Sequence, residues 1–239
     1  MGWLFGKREK APEAKPVLAS AAPRDTDRLG PAPPPSRSAT PPGVSVHRFS
    51  AGAVEPLPPG GPRRSFSTHL VALRGGESRR FDGDAFGILL VGGLTTGSGL
   101  SLAPTDVTIG PRTLAGDGIA LVESLTTSPG PAELRIRHDE TRGAGIPGIA
   151  GIRLLHRGGH GSVLRIGPPP GARWVMVGLR SLAVFSGKLV LVDGEEPLEV
   201  VAGQVAVIAD PAATLYAQAG NDSAFAIGLA EPDPVVALG

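Results

Sequence analysis

Apolar residues in this chain fall into short runs broken by turn formers. From about residue 65 onward, blocks such as Gly87-Ile88-Leu89-Leu90-Val91 and Lys188-Leu189-Val190-Leu191-Val192 alternate with Gly, Pro and Asp. Few windows repeat their apolar positions at helical spacing over three turns, so the pattern predicts strands rather than helices. The expected strands are 69–73, 86–91, 100–102, 106–109, 119–125, 132–136, 152–156, 162–166, 173–177, 181–185, 188–192, 198–201, 205–208, 214–217 and 225–229. Many short strands at near-regular spacing predict an all-β jelly roll, sandwich or barrel.

The first 64 residues break this pattern. They hold about half of the 25 prolines and only scattered large apolar side chains, too few to offset the entropy of ordering them. A disordered Pro/Ala-rich tail is expected, extended where Pro33-Pro34-Pro35 and Pro41-Pro42 favour polyproline II. Its start, Trp3-Leu4-Phe5 followed by Lys7 and Arg8, combines aromatic and basic groups in a way that suits docking on a partner or peripherally on a membrane surface. The expected organisation is a tail (1–64), a first β half (65–137), a Gly-rich connector (138–161) and a second β half (162–239).

A weak internal repeat supports the two halves. Residues 182–187, 197–200, 203–208 and 224–227 follow a strand, turn and Gly-initiated-strand order that 87–93, 112–114, 116–121 and 132–136 repeat. Within the second copy, Pro197-Leu198-Glu199-Val200-Val201-Ala202-Gly203-Gln204-Val205-Ala206-Val207-Ile208 resembles the P-L-x-V-x-x-G-D-x-x-x-I run of the cupin superfamily. The resemblance implies a cupin-like double-stranded β-barrel, duplicated in the manner of a bicupin.

It also implies a departure. Metal-binding cupins carry an H-x-H pair and a Glu on early strands and a further His later. Here 181–191 contains no His, the late region reads Ala213-Thr214-Leu215-Tyr216, and the first copy has no His between Leu70 and Arg137. None of those ligands transfers, so no metal and no cofactor is expected.

The remaining chemistry is sparse. With no cysteine there are no disulfides, iron–sulfur clusters or thiolate zinc sites, and the lack of thiols fits a cytoplasmic protein. A net charge of +1 does not provide a nucleic-acid footprint. No G-x-S-x-G or P-loop run occurs. His156 and His160 flank two glycines and are expected in a loop, where Asp139 or Glu140 could complete a two-histidine site. Glu195 and Glu196 are expected as solvated hairpin residues.

No catalytic residue is therefore assigned. The first expectation is a non-catalytic binding, scaffold or assembly component that acts through its surface, with a protein partner or another copy of itself. The alternative is a metal-independent small-molecule sensor or degenerate cupin enzyme, with Trp174, Arg180 and Tyr216 as the residues nearest a ligand in the barrel lumen.

Overall fold

The structure is a computed structural model that describes residues 43–49, 66–81, 84–125, 133–137, 143–192 and 197–239. All of them belong to one compact unit, Thr40–Gly239. They form seventeen strands, and no helix occurs among the described residues, as the strand-and-turn pattern predicts.

The first half is a seven-stranded antiparallel sheet made of β2 (Phe66–Leu73), β3 (Ser78–Arg80), β4 (Asp84–Thr96), β5 (Ser101–Leu102), β6 (Val107–Ile109), β7 (Thr113–Leu125) and β8 (Leu134–Ile136). The second half is a ten-stranded sheet made of β1 (Val44–Arg48), β9 (Ala144–Gly145), β10 (Ile152–Gly158), β11 (Gly161–Ile166), β12 (Arg173–Ser186), β13 (Lys188–Val192), β14 (Pro197–Val201), β15 (Gln204–Ile208), β16 (Leu215–Ala219) and β17 (Phe225–Leu238).

Three of these strands, β1, β3 and β9, lie where the sequence reading places none. β1 falls within the stretch assigned to the tail, pairs with β15 and sends Val44 and Val46 into the second half's core. Its alternating Val-x-Val pattern is too short to stand out of a proline-rich background, yet one buried and one half-buried valine help offset ordering five residues that an existing strand edge already templates. The Gly-rich connector is likewise part of the sheet from residue 143 onward, because β9 pairs with β10 and β10 with β11. Residues 1–42, including Trp3, Leu4, Phe5, Lys7 and Arg8, lie outside the described residues.

The two halves share a topology. In each, one long strand pairs along its length with another, β4 with β7 and β12 with β17. The far edge of the second long strand carries β2 in one half and β11 in the other. The other edge of the first long strand carries β6 near its start and β5 near its end in the first half, and β16 and β15 in the second.

The correspondence corrects the repeat read from the sequence. Residues 116–121 belong to β7, whose counterpart is β17, and not to an equivalent of β15. Gly-initiated apolar segments look alike in sequence whichever ladder they join.

Three apolar clusters layer the unit. One lies inside the first half around Leu89, Leu94 and Leu114. One lies inside the second half around Trp174, Met176 and Leu189. Between them a third joins Phe86, Ile88 and Leu121 of the first half to Val163, Val205 and Ile227 of the second. Strands of both halves are therefore apolar on two faces, which explains runs with little polar alternation.

Glycines read from the sequence as strand ends instead bend continuous strands. Gly178 interrupts the register of β12 at φ +94, and a Cβ there would stand 3.2 Å from Pro234 Cα. A bulge with positive φ keeps the ladder while turning the strand from one face of the barrel to the other.

Candidate functional site

Among the described residues, four of the eight buried polar side chains, Thr68, Glu123, Arg180 and Ser181, converge between the two halves. Glu123 on β7 is fully buried, and Arg180 on β12 is 1% exposed. The Arg180 Nε lies 2.9 Å from Glu123 Oε2, and the Ser181 hydroxyl donates to Glu123 Oε1 at 2.6 Å. Arg180 Nη1 donates to the His160 carbonyl at 3.0 Å, and the guanidinium sits 5.4 Å from the centre of the Phe86 ring.

A second irregularity in β12 makes this possible. The β12–β17 register steps from Leu179↔Ala230 to Ser181↔Leu229, leaving Arg180 as the extra residue. Adjacent strand residues ordinarily point to opposite faces; the bulge lets Arg180 and Ser181 reach the same carboxylate. Glu123 faces them because it continues the period-two series Ile119, Leu121, Glu123 on the face of β7 that meets the second half.

Chemically, the cluster is a clamp. The carboxylate is committed to a guanidinium and a hydroxyl in a place closed to solvent, and no described histidine is hydrogen-bonded to Ser181 as a base. Thr68, directly across β2–β7 from Glu123, places a buried hydroxyl oxygen there without a hydrogen-bond partner. Sequence reasoning singled out Arg180 but missed Glu123, Ser181 and Thr68. The available signal was a carboxylate at an inward position of the apolar run 119–125.

The three residues expected near a lumen are not brought together. Trp174 is buried within the second half's core, and its indole Nε1 is buried with no hydrogen-bond partner. Arg180 belongs to the clamp between the halves. Tyr216 is 55% exposed, because it alternates with Leu215 and Ala217, which take the inward positions of β16.

The histidines are also dispersed. His156 lies on β10 and His160 in the two-residue turn before β11, so the expected loop is a hairpin. Burial lowers the pKa of His156; burial and then the Arg79 charge lower that of His69. His47 hydrogen-bonds the Ser45 hydroxyl at 3.1 Å. His138, Asp139, Glu140, Glu195 and Glu196 lie outside the described residues. No group of three or more His, Asp or Glu placed to hold a metal occurs among the described residues.

Outside the second half, one sheet face carries an apolar row beside a mixed one. Register pairs place Pro197, Val192, Tyr216, Val175 and Ala237 in a row across β14, β13, β16, β12 and β17. The adjacent row is Glu199, Val190, Gln218 and Arg173, and Val177 and Val235 pair beyond the first row. Val235 is 60% exposed.

No protein-family model and no curated protein sequence matches the chain. Solved structures do. A glyoxylate-induced protein from Pseudomonas aeruginosa aligns with 80% of this chain and 81% of its own at 16% identity and a TM-score of 0.56. Salicylate 1,2-dioxygenase from Pseudoaminobacter salicylatoxidans, in complex with gentisate, covers 72% and 73% at 12% identity and a TM-score of 0.54. GK1651 from Geobacillus kaustophilus covers 79% and 94% at 14% identity and a TM-score of 0.50.

The cupin fold commonly houses a metal inside its barrel, so the second half's interior is the place to test for one. The apolar cluster there is built of Val, Leu, Ile, Ala, Met and Trp, and among the described residues no three His, Asp or Glu side chains stand together as such a centre needs. In architecture, the described chain is an all-β, cupin-like fold in two packed halves.

Proposed function

We propose that this chain is a cupin-fold binding or assembly component that works through its surface rather than through chemistry inside its barrels. What supports the reading is the second half's interior, packed with apolar side chains where a catalytic cupin would place polar ones. Among the described residues, the most buried charged pair joins the halves. A protein partner or a second copy is the expected ligand, in a cytoplasmic setting, with the segment Trp3-Leu4-Phe5 as an additional docking element on a partner or membrane surface.

Elemental analysis of the purified full chain tests the reading, and no stoichiometric metal is the expected result. About one metal per chain, or a turnover that depends on added metal, overturns it. A second reading draws on one observation, the unpartnered Trp174 Nε1: a small acceptor-bearing molecule, or a water, in the second half's interior. Quenching of tryptophan fluorescence by an added small molecule, abolished in Trp174→Phe, would favour that reading.

A further inference from the structure

We propose that the apolar outer face of β13, β16 and β12 is a self-association surface, and that its occupant is the same face of a second copy related by a two-fold axis parallel to these strands. The proposal rests on the surface-acting reading above and names the partner.

The strands themselves demand a cover. Lys188-Leu189-Val190-Leu191-Val192 and Arg173-Trp174-Val175-Met176-Val177 are apolar on both faces. Such composition belongs to strands buried on both sides, whereas a solvated antiparallel face is ordinarily polar. Here Leu189, Leu191, Trp174 and Met176 fill the interior. The outward Val175, Val177, Val190 and Val192 are half-buried and join none of the three core clusters, while Tyr216 is 55% and Val235 60% exposed. By contrast, the exposed Val91 and Leu134 of the first half are single side chains of the kind found on any surface.

Charge selects the occupant. In the row Glu199–Val190–Gln218–Arg173 the carboxylate and the guanidinium stand at opposite ends, about 14 Å apart at the ordinary strand spacing. A two-fold axis between β13 and β16 reverses the row, setting Glu199 of one copy over Arg173 of the other at both ends. The same operation places Tyr216 over Val192 and Val175 over Pro197 of the second copy. An isologous interface must be self-complementary in this way. Glu199 also holds Lys188 at 2.7 Å, which leaves its second carboxylate oxygen for the guanidinium across the axis.

Five strands with about three outward positions each present on the order of 400 Å2 in projection. That is about half of a standard partner surface. An interface of this size is expected to be reversible and concentration-dependent.

The test combines light-scattering mass with acetylation of the only tyrosine, Tyr216, on the full chain across a concentration series. The expected result is a monomer–dimer transition with Tyr216 protected in step with it. Tyr216→Glu is expected to weaken the dimer at least about tenfold. Arg173→Glu and Glu199→Arg each weaken it, and the two combined recover most of the loss.

A monomer at every concentration overturns the proposal. In that event, reactive Tyr216 means an uncovered face and protected Tyr216 means cover from the chain itself. A dimer indifferent to all these substitutions overturns it as well, by placing association elsewhere. None of these outcomes bears on the metal content that tests the surface-acting reading, so the two fail separately.

Discussion

A carboxylate and a guanidinium buried together set the sharpest expectations at the scale of single residues. Removing one partner of such a pair strands the other charge, at a cost of about 3 to 5 kcal/mol, whereas replacing both with apolar groups of similar volume is often near neutral. Glu123→Leu and Arg180→Met are each expected to lower unfolding stability by that amount in urea titrations, and the double variant to recover most of it. Equal, additive losses would show that the two side chains act independently. Thr68→Val removes an unpartnered buried hydroxyl, so the same titration is expected to show a gain of about 1 kcal/mol.

The two half-buried histidines predict a pH dependence. With their folded pKa values below the ordinary 6.5, the unfolded chain takes up protons first as the pH falls. Stability is therefore full above about pH 6.5 and declines below it, until the folded histidines also protonate. Thermal midpoints measured between pH 7.5 and 5 are expected to fall less in His69→Gln and His156→Gln than in the parent chain.

At the scale of elements, β1 and the bends in the long strands carry the argument. Val44 on β1 is 3% exposed in the second half's core. Val44→Ala is expected to destabilise the unfolding transition by about 2 kcal/mol, through lost burial and the space left behind. No change would mean that β1 contributes nothing to the core. It follows that a chain starting at Ser65 removes part of the second half along with the tail. Gly178→Ala asks an L residue to hold φ +94 beside Pro234, and a loss of about 2 kcal/mol is expected in the same assay.

These elements also show what was readable in advance. The strand type and most strand positions followed from apolar runs between turn formers. The lengths of β4, β7, β12 and β17 did not, because a glycine that ends a strand and a glycine that bends one are the same letter. Gly178 and the Arg180 bulge acquire their meaning only from the strands paired beside them.

At the scale of the whole molecule, two β halves pack through a shared apolar layer in which one ion pair is embedded. The pair adds orientation where the apolar contacts alone are non-directional, which fits a body whose working surfaces are on the outside. The sequence by itself determined the all-β class, the cupin-like turn chemistry and the lack of thiol chemistry, since each depends on local pattern or composition. Only the tertiary structure decided that Arg180 meets Glu123, that Trp174 faces inward while Tyr216 faces out, and that residues 44–48 complete the second half. Those facts depend on contacts between residues tens to more than a hundred positions apart, fixed by register, bulges and the packing of one sheet on another, none of which is written in any single window of the chain.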